Sequence, residues 1–288
     1  MSDSSYTRPY DHTPPAPSYI KFATVYENNH TAKIEFTASK TFDIAFYDIF
    51  RKPNGTNGWV KIARTSDTIY YDSTVDASHA SYCYRIQSGD SCSNYSVPSN
   101  EACLIWLKGK SYNLSNHLNF TPYTFWNKGV DHYEVYRTDD SNMTNLILTT
   151  TAPPIEYLDS LVGSNNVENF CYVVKGIENL GGYDAVTFSN QLCLHQQPLV
   201  YFPNTFTPND DDLNETFGPT GLYYKKYDME IIDRWGGVIF TNSEAKPRWD
   251  AKFGNGAIVP MGVYIYRVKI YSYDGKEINY NGVIQILR

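Results

Sequence analysis

The segment that decides the fold of the C-terminal part of this chain is Phe202-Pro203-Asn204-Thr205-Phe206-Thr207-Pro208-Asn209-Asp210-Asp211-Asp212-Leu213-Asn214-Glu215-Thr216-Phe217. Two Pro-Asn turns bracket a short aromatic stretch, and a run of oxygen-bearing side chains follows them. Asn and Asp hydrogen-bond their own backbone in turns and tolerate left-handed conformations. The segment therefore predicts a loop with a fixed structure, because a flexible connector does not need so many turn-forming residues.

Four further motifs follow this segment in order. They are Asp233-Arg234-Trp235-Gly236-Gly237-Val238-Ile239-Phe240, Trp249-Asp250, Pro260-Met261-Gly262-Val263-Tyr264-Ile265-Tyr266 and Gly282-Val283-Ile284-Gln285-Ile286-Leu287-Arg288. Taken in this order, the motifs resemble the gliding-motility-associated C-terminal domain, which is the type B sorting domain of the type IX secretion system of certain Gram-negative bacteria. The residues that carry the resemblance are Pro203, Asn204, Phe206, Pro208, Arg234, Trp235, Gly236, Trp249, Asp250, Gly262 and Tyr264.

The chain departs from the family pattern at four positions. Asp210 and Asp212 stand where the family has glycine, Glu215 replaces an aspartate, and Ala251 follows Trp249-Asp250 where glycine is usual. The resemblance implies that residues 198–288 form a β-sandwich sorting domain. It also implies partners, namely the outer-membrane translocon of the type IX system and its shuttle components. The protein is then expected to be secreted or held at the cell surface after transit through the periplasm.

Length and composition bound the rest of the chain. Its 288 residues predict two or three domains, and its 26 tyrosines suit β-sheet surfaces. The net charge of -7 argues against a nucleic-acid partner, and no apolar run is long enough to span a membrane. The polar start has no signal peptide, so we expect a C-terminal piece of a longer protein. Residues 1–16, with Thr13-Pro14-Pro15-Ala16-Pro17, are interpreted as a linker from an upstream domain.

The middle of the chain contains an internal repeat, with copies at 17–107 and 108–197. Each copy has short alternating segments separated by turn residues, which is the pattern of a seven-stranded antiparallel sandwich. The strand sequences resemble fibronectin type III modules in particular. The matching segments are Tyr47-Asp48-Ile49-Phe50-Arg51 with Tyr133-Glu134-Val135-Tyr136-Arg137, Ile69-Tyr70-Tyr71-Asp72 with Glu156-Tyr157-Leu158-Asp159, and Ser81-Tyr82-Cys83-Tyr84 with Asn169-Phe170-Cys171-Tyr172.

The five cysteines follow the repeat. Cys83 and Cys171 occupy equivalent late strands, and Cys103 and Cys193 occupy equivalent last strands, which are neighbours in a fibronectin-like sandwich. We therefore predict the disulfides Cys83–Cys103 and Cys171–Cys193, with Cys92 in neither. The alternative pairing joins Cys92 to Cys103. Either arrangement predicts an oxidising compartment and hence an exported protein.

The C-terminal motifs also predict strands. Tyr227-Asp228-Met229-Glu230-Ile231 alternates apolar and polar residues, and Asp274-Gly275 is a strong hairpin signal. Trp235 and Trp249 are predicted to anchor the core of this domain. The complete chain is therefore predicted to be all-β, with three consecutive immunoglobulin-like or fibronectin type III-like β-sandwich domains.

One loop is a candidate metal site. Its residues offer only oxygen ligands, which calcium prefers; they are Asn209, Asp210, Asp211, Asp212, Asn214 and Glu215. The loop lacks the glycine and distant glutamate of an EF-hand, so a solvated, turn-rich acidic loop is favoured over a bound ion. The chain has no metal-binding histidine spacing, nucleophile elbow, phosphate loop or dinucleotide fingerprint, and we expect no enzymatic activity.

These patterns together predict the C-terminal region of a large exported cell-surface protein, whose last domain is a secretion signal. The alternative is an adhesin, in which the sandwiches themselves bind glycan or protein at the cell surface. Fusing residues 200–288 to a reporter with an ordinary export signal separates the two hypotheses.

Overall fold

The computed structural model describes residues 11–27, 29–140, 142–153, 156–163, 169–241 and 248–288. Within these ranges every helix or strand element is a β-strand, so the all-β prediction is confirmed. No helix capable of crossing a bilayer occurs in this part of the chain.

The first repeat copy folds into two packed sheets. Its strands are β1 (Ile20–Tyr26), β2 (Thr31–Phe36), β3 (Ile44–Pro53), β4 (Val60–Thr65), β5 (Ile69–Asp72), β6 (Tyr82–Asp90) and β7 (Ala102–Cys103). One sheet has the order β1-β2-β5 and the other the order β4-β3-β6-β7. Every second residue of β2 is buried, as expected for a strand with one face on the core. The arrangement is that of a fibronectin type III sandwich.

The second copy repeats this arrangement. Its strands are β8 (Leu107–Tyr112), β9 (Ser115–Phe120), β10 (Val130–Asp139), β11 (Thr144–Thr150), β12 (Tyr157–Ser160), β13 (Asn169–Glu178), β14 (Val186–Phe188) and β15 (Leu192–His195). The sheets have the orders β12-β9-β8 and β11-β10-β13-β14, and β15 also pairs with β13. The internal repeat in the sequence is therefore a repeat of fold.

Three segments of each repeat converge on one buried carboxylate. In the first copy, Arg51 Nη1 lies 2.7 Å from Asp72 Oδ2, and the Tyr84 hydroxyl donates to the same oxygen at 3.1 Å. The second copy reproduces this triad, as Asp159 accepts from Arg137 at 2.8 Å and from the equivalent tyrosine hydroxyl. A buried carboxylate is tolerated when it is paired and hydrogen-bonded, and this explains why Tyr, Arg and Asp recur together in the sequence.

Both predicted disulfides are present. Cys83 on β6 and Cys103 on β7 face each other in the antiparallel ladder and are bonded. Cys171 on β13 and Cys193 on β15 form the equivalent bond in the second copy. Cys92 takes part in neither bond. Each disulfide joins the last strand of a copy to the strand beside it.

The two copies are joined by hydrogen bonds between β1 and the second sandwich. The Ala23 N–H donates to the Tyr123 hydroxyl at 2.9 Å, and Thr187 Oγ1 donates to the Ala23 carbonyl at 2.8 Å. The Phe188 N–H donates to Thr24 Oγ1 at 2.8 Å. The bonds from Tyr123 and Thr187 occupy the N–H and carbonyl groups of Ala23 on the outer edge of β1, which would otherwise be unpaired in solvent.

The segment that connects the two copies is buried as well. Leu104, Ile105 and Leu107 are each only 1% exposed. The Leu107 N–H donates to Asn190 Oδ1 at 2.8 Å, which ties the start of β8 to the end of its own sandwich. The connection is therefore part of the packed structure and leaves no exposed linker between the copies.

The C-terminal region is built on one five-stranded sheet. The strands of the whole region are β16 (Leu199–Tyr201), β17 (Thr205–Phe206), β18 (Thr220–Leu222), β19 (Lys226–Ile232), β20 (Val238–Thr241), β21 (Gly262–Tyr271) and β22 (Glu277–Ile286). The large sheet has the order β17-β22-β21-β19-β20, and β16 pairs with β18 in a separate two-stranded sheet. Only β17 runs parallel to its neighbour, β22.

The core of this region lies on one face of the large sheet. The alternation predicted for Tyr227–Ile231 holds, because Tyr227, Met229 and Ile231 of β19 are buried. Trp249 is fully buried, as predicted. It is held there by a backbone bridge in which Phe217 and Trp249 exchange N–H···O bonds of 2.8 Å. Bridged loops thus supply much of the layer that covers this sheet.

Two compact units account for the chain's internal contacts. The first comprises Met1–Gly109, His117–Asp159 and Cys171–Cys193, and the second comprises Lys110–Asn116, Ser160–Phe170 and Leu194–Arg288. The first unit holds most of both sandwiches, and the second holds the C-terminal sheets. The predicted domain limits at 107/108 and 197/198 stay a prediction.

Candidate functional site

The opening segment of the C-terminal motif set is fastened to the sheet by its backbone. The Gln285 N–H donates to the Asn204 carbonyl at 3.0 Å, and the Leu287 N–H donates to the Phe206 carbonyl at 3.2 Å. The Phe206 ring is buried and lies 5.6 Å from the Trp249 ring, centroid to centroid. The aromatic stretch between the two Pro-Asn turns therefore forms an edge strand and fills the core.

The acidic loop that follows is held by its own carboxylates. Asp211 Oδ1 accepts the Leu213 N–H at 2.8 Å, and Asp211 Oδ2 accepts from the Asn209 amide at 3.1 Å. Glu215 Oε1 accepts the Asp211 N–H at 2.8 Å. The bonds from Leu213 and Asn209 lower the pKa of Asp211. The loop has the fixed structure that its composition predicts.

Three of the departures from the family pattern share one backbone feature. Asp210, Asp212 and Ala251 have φ values of 62°, 64° and 59°, which lie in the left-handed region. Glycine adopts this region without steric cost, whereas other residues do so at some expense in free energy. The positions at which the family has glycine are thus positions where the backbone requires it, and this chain meets the requirement with strained residues.

Among the described residues, no three of the predicted carboxylate ligands have their oxygens within 4.8 Å of one another. Among the described residues, the sets of three or more carboxylate, thiol or imidazole groups with ligand atoms within 4.8 Å of one another are Cys83/Glu101/Cys103 and Asp11/Asp43/Asp90. The first set contains a disulfide. Neither set includes the loop carboxylates, two of whose oxygens, Asp211 Oδ1 and Glu215 Oε1, accept backbone N–H groups. These hydrogen bonds favour the solvated-loop interpretation, and calcium binding stays the alternative hypothesis.

The turn between β19 and β20 presents a tryptophan to solvent. Asp233 Oδ1 accepts the N–H groups of Trp235 at 2.9 Å and Gly237 at 2.8 Å, and Gly236 has a φ of 86°. Trp235 is 83% exposed. The prediction that Trp235 anchors the core is therefore wrong. Trp235 is exposed because the turn extends past the last strand pair, Ile232 with Val238, so the indole ring has no sheet to pack on.

This turn lines a small groove with the segment that begins β21. The groove has a volume of about 180 Å³ and is lined by Asp233, Arg234, Trp235, Phe253, Pro260, Met261, Gly262, Val263 and Tyr264. The hydroxyl of Tyr264, one of these residues, donates to the Pro260 carbonyl at 2.7 Å. Met261 and Val263 are 62% and 56% exposed. Two motifs that lie apart in the sequence thus meet at one surface.

The charged residues in the lining of the groove are Asp233 and Arg234. The Arg234 guanidinium lies 5.5 Å from the centre of the Trp235 ring. Arg288 donates to the Val259 carbonyl at 2.9 Å. Burial raises the pKa of Tyr264, while Arg234 and Arg288 act to lower it and Asp233 acts to raise it. The charged residues that line the groove are therefore one acidic and one basic residue.

A second contact between motif residues was not apparent from the sequence. Tyr266 on β21 faces Gly282 on β22, and a Cβ added at Gly282 would lie 2.5 Å from the tyrosine hydroxyl oxygen. The glycine is thus needed because the tyrosine ring crosses the strand there. The positions of Met261 and Val263 at the groove were also missed. Their signal in the sequence was their place inside the motif Pro260–Tyr266.

Comparisons with known proteins agree with the family resemblance that the sequence motifs indicate. Residues 200–286 match the family of the CHU_C Type IX secretion signal domain. Among curated proteins, none matches this chain.

Two solved structures are similar to the chain at low identity. The crystal structure of chicken CNTN1 FN1-FN3 domains is 13% identical, with 94% of this chain and 98% of that chain covered and a TM-score of 0.23. The crystal structure of a tetra-tandem repeat in the extending region of a large adhesion protein is also 13% identical, with 94% and 74% covered and a TM-score of 0.32. The order of motifs, the folded loop that carries them and the family match agree on one assignment: residues 200–286 of this chain are a CHU_C type IX secretion signal domain.

Proposed function

We propose that the domain at residues 198–288 is the address by which the type IX secretion machinery exports this chain, and that the two fibronectin type III-like sandwiches are exported with it as spacers. The observation that carries the proposal is the family match over residues 200–286. The partners are the outer-membrane translocon and its shuttle components, which the chain meets in the periplasm. The destination is the cell surface or the medium.

The geometry supports recognition of a folded surface and not of a linear peptide. The motif residues divide into a buried set, such as Phe206 and Trp249, and an exposed set, such as Arg234 and Trp235. The buried set holds the fold, and the exposed set is available to a partner only when that fold is intact. A receptor that reads the exposed set therefore reads a folded domain.

The proposal is tested by deletion in a bacterium that has a type IX system. The chain is expressed behind an ordinary export signal, either whole, without residues 200–288, or without residues 17–197. We expect the variant lacking 200–288 to accumulate in the periplasm. The variant lacking both sandwiches should still leave the cell, and removing both avoids exposing the surface they share. Normal surface levels of the chain without 200–288 would contradict the proposal and favour the adhesin alternative.

A further inference from the structure

Asparagine followed by glycine is a dipeptide that can modify itself. The backbone nitrogen of the second residue can attack the side-chain amide of the first, and glycine has no Cβ to hinder its approach. The sequence contains four such pairs, which are Asn54-Gly55, Asn57-Gly58, Asn255-Gly256 and Asn281-Gly282. All four lie in the described part of the chain, so their surroundings can be compared.

Two of the pairs are held by backbone hydrogen bonds in the C-terminal domain. Asn281-Gly282 lies inside β22, in the antiparallel ladder with β21. At Asn255-Gly256, the Gly256 N–H donates to the Phe253 carbonyl at 2.8 Å, and Asn255 Oδ1 accepts the Ala257 N–H at 3.1 Å. At the second pair both the attacking nitrogen and the attacked amide are therefore engaged.

A third pair, Asn54-Gly55, is fixed at the centre of a closed turn. The Thr56 N–H donates to the Pro53 carbonyl at 3.2 Å, and Gly55 has a φ of 81°. Asn54 is bound to Ser81, through its N–H at 2.8 Å and its side-chain amide at 3.4 Å. Attack by the Gly55 nitrogen needs rotation about the Asn54 Cα–C bond, which the turn prevents.

The fourth pair, Asn57-Gly58, has no such restraint. Both residues are exposed and lie beyond Arg51 and Val60, the last paired residues of β3 and β4. Among the described residues, neither the Asn57 side chain nor the Gly58 N–H has a hydrogen-bond partner. A Cβ added at Gly58 would meet nothing within 4 Å, so the space around the attacking nitrogen is open.

We propose that Asn57 is a site of spontaneous deamidation in the folded chain. The Gly58 nitrogen loses its proton and bonds to Cγ of Asn57, the Cγ–Nδ2 bond breaks, and ammonia leaves a five-membered succinimide. Water then opens the ring at either carbonyl, which gives aspartate or isoaspartate. The net reaction consumes one water, releases one ammonia and changes no oxidation state.

The modification adds one negative charge to the connection between β3 and β4 in the first sandwich. Because this connection is exposed, the charge is solvated and the core is left unchanged. The inference concerns the first sandwich alone and does not depend on the proposed function.

The first experiment compares the folded full chain with the chain unfolded in guanidinium chloride and reductant. Both samples are aged in ¹⁸O-labelled water at mildly alkaline pH, and peptide fragmentation locates the label. In the folded chain we expect Asn57 to convert at least about tenfold faster than each of the other three asparagines, because those react only after local opening. In the unfolded chain the four sites should convert at comparable rates.

Two results of this experiment would overturn the proposal. One is conversion of Asn54, Asn255 or Asn281 in the folded chain at the rate of Asn57. The other is an Asn57 that converts at least about tenfold more slowly folded than unfolded, since the fold would then protect it.

The second experiment tests the attacking nitrogen. Gly58→Ala should slow conversion of Asn57 by about tenfold or more, because a Cβ hinders the nitrogen while the open space around it keeps the fold unchanged. Gly254→Ala is the matched control, since it also adds a Cβ in open space, and it should leave Asn57 unaffected. Melting curves verify that both variants are folded. Conversion of Gly58→Ala at the wild-type rate, or a product containing aspartate without isoaspartate, would contradict the succinimide route.

Discussion

At the scale of single residues, the stability of the C-terminal domain is limited by three positions where this chain has a non-glycine residue with left-handed backbone and the family has glycine. Asp210 and Asp212 are exposed, so their side chains bury no apolar surface, and Ala251 is fully buried. Left-handed backbone costs an L-residue free energy that glycine does not lose. The departures from the family pattern therefore lower stability without changing the course of the chain.

We expect Asp210→Gly and Asp212→Gly each to stabilise the domain by about 0.5–1 kcal/mol, because glycine relieves the left-handed strain. Asp211→Gly is the control, and it should destabilise by about 0.5–1.5 kcal/mol through loss of its hydrogen bonds to Leu213 and Asn209. Calorimetry of the full chain measures the C-terminal transition. Destabilisation by Asp210→Gly would show that its side chain matters more than its backbone.

At the scale of an element, the acidic loop is supported by its own hydrogen bonds. Asp211 and Glu215 each accept a backbone N–H of the loop. A ligand that binds only the folded state raises the melting temperature by mass action. We expect the C-terminal transition to melt at the same temperature in calcium and in chelator. A rise in calcium that Asp211→Asn and Glu215→Gln abolish together would support the calcium hypothesis instead.

The strands were predictable from sequence to the extent that local patterns determine them. The hairpin at Asp274-Gly275 joins β21 to β22 as its turn signal predicts, and the alternation on β19 places Met229 and Ile231 in the core. Trp235 was mispredicted because hydrophobicity gives no information on whether a turn projects beyond its sheet. The groove could not be predicted, since it depends on which strands are neighbours and not on local sequence.

The repeat shows which tertiary contacts a sequence can reveal. Two copies of one pattern placed Cys83 beside Cys103 and, in the second copy, Cys171 beside Cys193, because equivalent positions imply equivalent neighbours. The residues of the Arg–Asp–Tyr triads recur in the sequence of both copies, but the sequence did not show that the three side chains are in contact. The hydrogen bonds between the copies had no sequence signal. Each bond joins a residue of one copy to a residue of the other, as Tyr123 does with Ala23 and Thr24 does with Phe188, so the repeat does not reveal them.

At the scale of the whole molecule, both disulfides lie in the two sandwiches, so reduction should affect these and not the C-terminal domain. All five cysteines lie at or before Cys193. The bonds close segments of 20 and 22 residues, and loops of this size contribute about 3 kcal/mol each in the chain-entropy account. Reductant should therefore lower the melting temperature of the sandwiches and leave the C-terminal transition in place.

Calorimetry with and without reductant checks this expectation. Cys92→Ser is the matched control, because Cys92 belongs to neither disulfide, and it should respond to reductant as the wild type does. A C-terminal transition that moves together with the others would indicate that the two units unfold as one.

The buried connection between the first two sandwiches determines how the exported chain meets proteases. A protease needs an exposed, extended stretch of backbone, and such stretches are normally found at domain boundaries. Leu104, Ile105 and Leu107 are inaccessible, so this boundary can be cut only after local unfolding. Its cleavage rate should follow the opening free energy of the packed pair, which makes the two sandwiches a single unit of turnover outside the cell.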